Sequence, residues 1–259
     1  MDTRLDVDGI PKWMKEGGDK ISVVVDSEVK EFENRKANTI SGGTKRNTRG
    51  VLFWNRPYVI TQSNGEKMCI LVMDTQGLWD PKTKNEFNCS IFGLSCLLSS
   101  YVIFNQKGNI NTEQLSKFSV LSEFSKQVVS KDGVKPFQHL DFLLRDYEDY
   151  DVDSDVDAGI ECSRERLQEM REGKVEGEMV KKIEECFDEY GLLCFPHPGK
   201  FVAAKKYDGT ISKAEPLYMQ VLSYYIDQVI RRIKPRKIGG TVLIGKHFTE
   251  LVLMVSTEN

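Results

Sequence analysis

The sequence has few cysteines, and none of them lies in a metal-binding or disulfide pattern. The 259 residues include six cysteines, and no two of them form a C-x-x-C pair. They are Cys69, Cys89, Cys96, Cys162, Cys186 and Cys194. Zinc sites and disulfide frameworks need regular cysteine spacing, so the pattern instead predicts reduced, mostly buried thiols in a cytosolic setting.

Long hydrophobic runs are also missing. No apolar run approaches the ~20 residues that a membrane-spanning helix requires. The first residues, MDTRLDVDG, are acidic and contain no apolar segment, unlike a signal peptide. We therefore expect no membrane segment within this chain and a cytoplasmic location.

The chain has no excess of positive charge. Its 36 basic and 39 acidic residues give a formal net charge of −3, which does not indicate a nucleic-acid-binding protein. Hydrophobic residues make up 40% of the chain and charged residues 29%, an ordinary composition for a globular domain with a sizeable core.

The hydrophobic pattern that is present predicts an α/β fold. Residues 69–73 form a near-continuous apolar run, typical of a strand buried on both faces. Asn64-Gly65, just before it, predicts a tight hairpin. After residue 67 strands alternate with helical segments, so we expect a three-layer domain with a mostly parallel sheet and an antiparallel hairpin at its edge.

Three further elements are predicted near the end of the chain. A long charged helix is predicted over residues 162–189, with breaks at Gly173 and Gly177. A strand follows at residues 192–195. The tail, residues 242–255, fits either a helix or a strand.

Three predicted strands end in unusual polar segments: residues 74–77 (DTQG), 145–146 (RD) and 196–199 (PHPG). The carboxyl ends of parallel strands meet at one edge of a sheet, so these segments can form one pocket. A carboxylate there can accept hydrogen bonds from both N1 and the exocyclic amine of guanine, and Arg145 can stack on the ring. Residues 196–199 would cover the base.

The first segment suits the phosphate end of a nucleotide. Asp74 can hold a magnesium ion through water, and the Gly77 N–H can approach a terminal phosphate closely. Simpler alternatives stay open: residues 74–77 could form an ordinary turn, and residues 145–146 a surface ion pair. For His197 we favour a rigid turn over a chemical role of the imidazole.

An acidic loop raises the question of calcium binding. Its aspartates are Asp149, Asp151, Asp153, Asp155 and Asp157. An EF-hand beginning at Asp153 would place Ala158 where glycine is needed and Arg164 where a bidentate glutamate belongs. We therefore interpret the segment as a solvated loop.

The order of these motifs resembles a known family. The segments NTRGVLFW (47–54), LVMDTQG (71–77), SIFGLSCLLSS (90–100), FLLRD (142–146) and CFPHPG (194–199) resemble the GTPase domain of atlastins and guanylate-binding proteins, which are dynamin-like large GTPases. The resemblance extends over about residues 40–250. It implies a G domain like that of P-loop NTPases over 41–259, preceded by a divergent segment at 1–40.

The resemblance also implies roles for individual residues. Arg145 and Asp146 match the family's guanine motif. Thr48 and Asp74 match its magnesium ligands, Gly77 its sensor of the γ-phosphate, and the segment with His197 and Pro198 its guanine cap. By the same resemblance we expect GTP and GDP as ligands with Mg²⁺, a nucleotide-dependent dimer, and a place at the cytosolic face of the endoplasmic reticulum.

One part of the family's pattern is missing. The phosphate loop G-x-x-x-x-G-K-[ST] occurs nowhere in the chain; the predicted strand at residues 21–25 leads instead into Asp26-Ser27-Glu28. The family's catalytic arginine lies in that loop, so no catalytic residue is assigned. Three interpretations remain: a GTPase with impaired hydrolysis, a catalytically dead module that pairs with an intact relative as a heterodimer, or a sequence that lacks an exon.

Overall fold

A seven-stranded, mostly parallel sheet is the centre of the fold. The computed structural model describes residues 20–26, 51–53, 57–62, 65–75, 85–116, 118, 134–151, 155–202 and 210–257. The strands are β1 (Lys20–Asp26), β2 (Val51–Phe53), β3 (Tyr58–Thr61), β4 (Lys67–Thr75), β5 (Tyr101–Lys107), β6 (Phe137–Arg145) and β7 (Phe187–Cys194).

The strand order is β2-β4-β1-β5-β6-β7, and β3 also pairs with β4. β4, β1, β5, β6 and β7 are parallel to one another, whereas β2 and β3 run antiparallel to β4. The predicted α/β fold with an antiparallel edge is therefore confirmed. Every parallel strand places its carboxyl end at the same edge of the sheet.

The hairpin between β3 and β4 is the one that Asn64-Gly65 predicts. Gly65 has φ of 80°, a conformation that glycine adopts without steric cost. The Gln62 N–H donates to the Glu66 carbonyl over 2.8 Å, and Thr61 stands in register with Lys67. The turn thereby aligns the antiparallel edge with β4.

Six helices accompany the sheet in the described residues. They are α1 (Asn85–Leu98), α2 (Thr112–Ser116), α3 (Val156–Glu172), α4 (Lys174–Cys186), α5 (Pro216–Arg232) and α6 (Gly245–Thr257). A 3₁₀ turn at Ile211–Lys213 and a small hairpin, β8 (Lys237–Ile238) with β9 (Thr241–Val242), complete the elements. The tail is therefore mainly helical.

The prediction of one charged helix over residues 162–189 was correct about the break at Gly173 and wrong about Gly177 and about both ends, since α3 already begins at Val156. The chain breaks at Gly173, where ψ of 129° leaves the helical range, but α4 continues through Gly177. A Cβ atom at Gly177 would lie 2.5 Å from the Arg171 carbonyl oxygen, so this glycine permits a close approach of α3 and α4. α4 also ends at Cys186, and β7 starts at Phe187, five residues before the predicted strand.

Two apolar clusters lie on opposite faces of the sheet. Met68 and Ile70 of β4 belong to the larger cluster, and Cys69, Leu71 and Met73 belong to the smaller one. Side chains of a strand alternate between its faces, so β4 is covered on both. Four of the larger cluster's rings pack edge to face: Phe92, Phe104, Phe118 and Phe142.

Five of the six cysteines are seen as free thiols, four of them buried, as predicted: Cys69, Cys96, Cys162, Cys186 and Cys194. Among the described residues no helix is long and apolar enough to cross a bilayer.

Candidate functional site

The candidate site lies at the carboxyl edge of the sheet. Asp74 stands one residue before the end of β4, Arg145 is the last residue of β6, and residues 196–199 follow β7. β1 and β5 lie between β4 and β6, which puts β4 and β6 about 14 Å apart across the sheet at the usual spacing of strands. The register places Asp74 level with Asp141, so Arg145 also lies four residues further along the strands. The edge therefore brings these segments together in a row rather than at one point.

Arg145 and Asp146 end β6 with a sharp change of backbone direction. Asp146 has φ of +52°, in the left-handed region that aspartate and asparagine tolerate better than most residues. The Arg145 carbonyl accepts a hydrogen bond of 2.6 Å from the Gly108 N–H after β5. The turn directs the chain away from the sheet immediately after the arginine, and the Asp146 side chain stays 17% exposed.

Strand β5 supplies contacts to both side chains. The Asn105 side-chain oxygen accepts a hydrogen bond from Arg145 Nε. Lys107 Nζ lies 3.6 Å from Asp146 Oδ2. Because Lys107 is largely exposed, this ion pair contributes little to stability and leaves the carboxylate accessible to a competing partner.

The segment after β7 is joined directly to the Arg145–Asp146 turn. The Phe195 N–H donates to the Leu144 carbonyl over 2.7 Å, and the Tyr147 N–H donates to the Phe195 carbonyl over 3.0 Å. These two bonds continue the β6–β7 pairing past the ends of both strands. The segment that contains His197 and Pro198 therefore begins beside the predicted guanine motif.

The PHPG segment is a rigid turn. Gly199 has φ of +100°, and its N–H donates to His197 Nδ1 over 3.0 Å. Nδ1 is thus an acceptor, which requires the proton of a neutral ring to sit on Nε2. The Glu215 N–H donates to the Pro198 carbonyl over 3.0 Å, tying the turn to the start of α5. The imidazole therefore takes part in the hydrogen bonding of the turn itself.

Two buried tyrosines anchor the loop that follows Asp146. Burial raises the pKa of Tyr147, and burial likewise raises the pKa of Tyr150 to about 12. The Tyr150 ring packs where a side chain at Gly159 would stand, since a Cβ there would meet the hydroxyl oxygen at 2.0 Å. The neutral phenols fix the loop against α3.

The acidic loop is described only in part, since Asp153, where an EF-hand would begin, lies outside the described residues. Asp155 caps α3, and its carboxylate accepts from the Ala158 N–H over 2.9 Å. No group of three or more histidine, cysteine or acidic side chains that could hold a metal ion occurs in the described part of the chain.

The residues predicted to hold magnesium and to approach the terminal phosphate are only partly described. Asp74 is half-buried at the carboxyl edge, whereas Thr48 and Gly77 lie outside the described residues. A magnesium ion in a nucleotide site usually keeps several waters and takes one or two carboxylates together with phosphate oxygens. A single carboxylate such as Asp74 fits that ligand set.

Two cavities of the described residues lie away from these strand ends. One of about 290 Å³ is at the amino ends of β5 and β6, between Gln138, His139 and Glu189. Another of about 270 Å³ lies between α3, α5 and the sheet beside Asp141. Neither of these two cavities is lined by Asp74, Arg145 or Asp146.

Asn105 and Lys107 were missed at the sequence level. They are polar side chains in the last three residues of β5, the same signal that identified the other three segments. Arg166 was missed as well: its guanidinium is buried and reaches Asn109 Oδ1 (2.8 Å) and the Ile110 carbonyl (3.2 Å), which holds the loop after β5 against α3.

The fold and the strand-end segments define a G domain of the P-loop NTPase class. A family model, "Guanylate-binding protein, N-terminal domain", matches residues 29–231. The chain is 34% identical to atlastin-2 of Homo sapiens over 217 residues, which is 82% of this chain and 37% of that protein. It is 30% identical to atlastin of Drosophila melanogaster over 192 residues, 73% of this chain and 36% of that protein.

The chain therefore belongs to the atlastin and guanylate-binding protein family of large GTPase domains. It spans a little over a third of the length of the relatives that it matches. The predicted resemblance is confirmed.

Proposed function

We propose that this domain binds guanine nucleotides at the carboxyl edge of its sheet. The observation that carries the proposal is the fixed Arg145–Asp146 turn, which is bonded to β5 on one side and to the segment after β7 on the other. The Asp146 carboxylate would accept from N1–H and the exocyclic amine of guanine, and Arg145 would stack on the purine. The turn with His197 and Pro198 would cover the base.

At the other end of the nucleotide, Asp74 and Thr48 would hold a magnesium ion, and the Gly77 N–H would approach the terminal phosphate. The ion would supply positive charge to the phosphate oxygens. These assignments follow the family's pattern residue by residue, and the position of Asp74 at the end of β4 is compatible with them.

Hydrolysis of GTP is the activity that the family implies for the domain. In the unaltered chain we expect slow hydrolysis, because the phosphate loop and its arginine are missing from the sequence. Backbone N–H groups and a lysine of that loop would otherwise stabilise the transferring phosphoryl group. By family resemblance the loaded domain would form a homodimer, in the cytoplasm or at the cytosolic face of the endoplasmic reticulum.

Titration calorimetry with a non-hydrolysable GTP analogue and Mg²⁺ tests binding. We expect saturable heat at high micromolar protein that is absent with the matching ATP analogue. An absence of heat with both nucleotides, from protein shown to be folded by circular dichroism, would contradict the proposal.

The missing phosphate loop favours a second candidate function. The domain would be a non-catalytic interaction module that pairs with an intact family member. Co-purification with a full-length relative, without phosphate release in vitro, would support this function. Steady phosphate release that is lost on Asp146→Asn would exclude it and support the enzyme.

A further inference from the structure

Asn105 is an unusual residue for its place in the sheet. It lies in β5 after four buried apolar residues (Tyr101–Phe104), and it is itself only 8% exposed. Asparagine is disfavoured in strands, and a buried carboxamide needs hydrogen-bond partners to offset its desolvation. A residue of this kind in a central strand therefore calls for a specific partner.

Its contact with Arg145 follows from the pairing of β5 with β6. Asn105 stands in register with Leu143, and Arg145 lies two residues further along β6. Side chains two residues apart in a strand share one face, so Asn105 and Arg145 are diagonal neighbours within reach of a long side chain. The carboxamide oxygen accepts from Arg145 Nε.

The chemistry of that bond bears on how Arg145 meets a ligand. The Nε–H lies in the guanidinium plane, so an acceptor fixed by the sheet fixes the orientation of that plane. Stacking on a purine needs one orientation of the plane, and a half-buried arginine without a fixed acceptor would lose rotamer freedom when the base binds. Asn105 removes that cost before binding.

We propose that Asn105 is a positioning residue for purine binding: its carboxamide holds the Arg145 guanidinium in the orientation in which it stacks on the base. This inference rests on the proposed function, because it assumes that Arg145 contacts the base. Asn105 itself acts only through Arg145.

A double-mutant cycle with a fluorescent GDP analogue tests the inference, using the whole chain at fixed salt. Asn105→Leu removes the acceptor and is expected to weaken binding by about tenfold. In the Arg145→Ala background the same change is expected to have no effect, because the group that it positions is gone. Asn105→Asp keeps an acceptor oxygen and is expected to bind within about twofold of the unaltered chain.

Asn109→Leu is the matched control. Asn109 also accepts from an arginine Nε, that of Arg166, but at a place where no base contact is proposed. This variant is expected to lower the melting temperature and leave GDP affinity unchanged. If Asn105→Leu does not fold, Asn105→Ala provides the same test, because alanine also lacks the acceptor oxygen. It is expected to weaken GDP binding in the unaltered background and to have no effect in the Arg145→Ala background.

Three results would overturn the inference. They are additive effects of the Asn105 and Arg145→Ala changes, unchanged affinity in Asn105→Leu or Asn105→Ala, and a loss in Asn105→Asp as large as that in Asn105→Leu. In each case the unaltered chain still binds GDP, so the proposed function survives. If the unaltered chain binds no guanine nucleotide, the proposed function fails and this inference fails with it.

Discussion

Asp26 and Asp74 stand in register at the carboxyl ends of two neighbouring parallel strands, β1 and β4. In the family, the strand before the switch threonine leads into a glycine-rich phosphate loop. Here β1 ends at Asp26 and is followed by Ser27-Glu28, and the sequence has no glycine between Asp26 and Gly42. Carboxylates at this edge disfavour phosphate unless a cation intervenes.

The first prediction concerns the number of phosphates. Because no phosphate loop is present, the affinity should come mainly from the base. We expect GMP, GDP and GTP to bind with dissociation constants within about threefold of one another, measured by calorimetry at constant salt and Mg²⁺. If each added phosphate strengthens binding tenfold or more, the phosphates are held tightly without a phosphate loop, and the prediction is wrong.

The second prediction concerns base selection by Asp146. Asparagine tolerates the positive φ of this position, so Asp146→Asn should keep the turn and change only the recognition of guanine. In asparagine one of the two acceptor oxygens is replaced by an NH2 group, which would face an N–H donor of the guanine. GDP affinity should therefore fall at least tenfold. Asp149→Asn, at an exposed position in the same loop, is the control and should bind as before.

The third prediction concerns the buried carboxylate of Asp141. It accepts from the Tyr101 hydroxyl, from Tyr225 over 3.2 Å and from His139 Nε2 over 2.9 Å. Asp141→Ala leaves these buried groups without their acceptor and should lower the free energy of unfolding by about 3 kcal/mol in chemical denaturation.

An exposed ion pair provides the comparison for Asp141. Asp227 lies 3.6 Å from Arg231 on the surface of α5, and Asp227→Ala should change the free energy of unfolding by less than about 0.5 kcal/mol. Equal losses in the two variants would show that the buried network does not stabilise the fold.

The fourth prediction concerns the turn at Gly199. A side chain there would be strained at φ of +100° and would place Cβ 2.7 Å from Glu215 Cγ. A left-handed conformation costs a residue with a side chain roughly 1–2 kcal/mol. Because the steric contact adds to this cost, Gly199→Ala should lower the free energy of unfolding by more than that amount. Gly239→Ala is the control, because Gly239 has φ of +53° with no heavy atom within 4 Å of an added Cβ.

Glu215→Ala should recover the steric part of the Gly199→Ala loss and leave the backbone part. Denaturant unfolding of the single and double variants separates the two. No recovery in the double variant would show that Glu215 does not pack beneath the turn.

The fifth prediction concerns alkaline pH. Burial raises the pKa of Tyr101 and Tyr147, and raises that of Tyr150 to about 12, whereas unfolded tyrosines titrate near 10. Above pH 10 the native state therefore holds more protons than the unfolded state, so the free energy of unfolding should fall as pH rises. Below pH 10 these groups should leave it unchanged.

Absorbance at 295 nm measures this behaviour directly. Of the nine tyrosines, at least these three should ionise above pH 11 or only on unfolding. Titration of all nine near pH 10, with an unchanged circular dichroism spectrum, would contradict their burial.

Much of the fold was predictable because it depends on local patterns. The apolar run 69–73 identified β4, and Asn64-Gly65 identified the hairpin. The start of β7 was missed because an edge strand exposes polar side chains: Asp188 and Glu189 face solvent. Gly177 was predicted to break the helix because glycine has a low helix propensity. Its close approach to the Arg171 carbonyl depends on tertiary packing, which propensity does not describe.

The site was predictable to the level of strand ends and no further. That Asp74, Arg145 and the PHPG segment share an edge follows from parallel pairing, and the structure agrees. The contact between Asn105 and Arg145 depends on the register of β5 against β6, which the sequence does not reveal. The roles of these residues in nucleotide binding stay predictions.

The most direct test is a crystal structure of the chain with bound GDP. The account predicts the guanine base beside the end of β6, with N1 about 2.9 Å from a carboxylate oxygen of Asp146 and the Arg145 guanidinium parallel to the ring. A nucleotide found in another place, such as the cavity beside His139 and Glu189 at the opposite edge of the sheet, would contradict it.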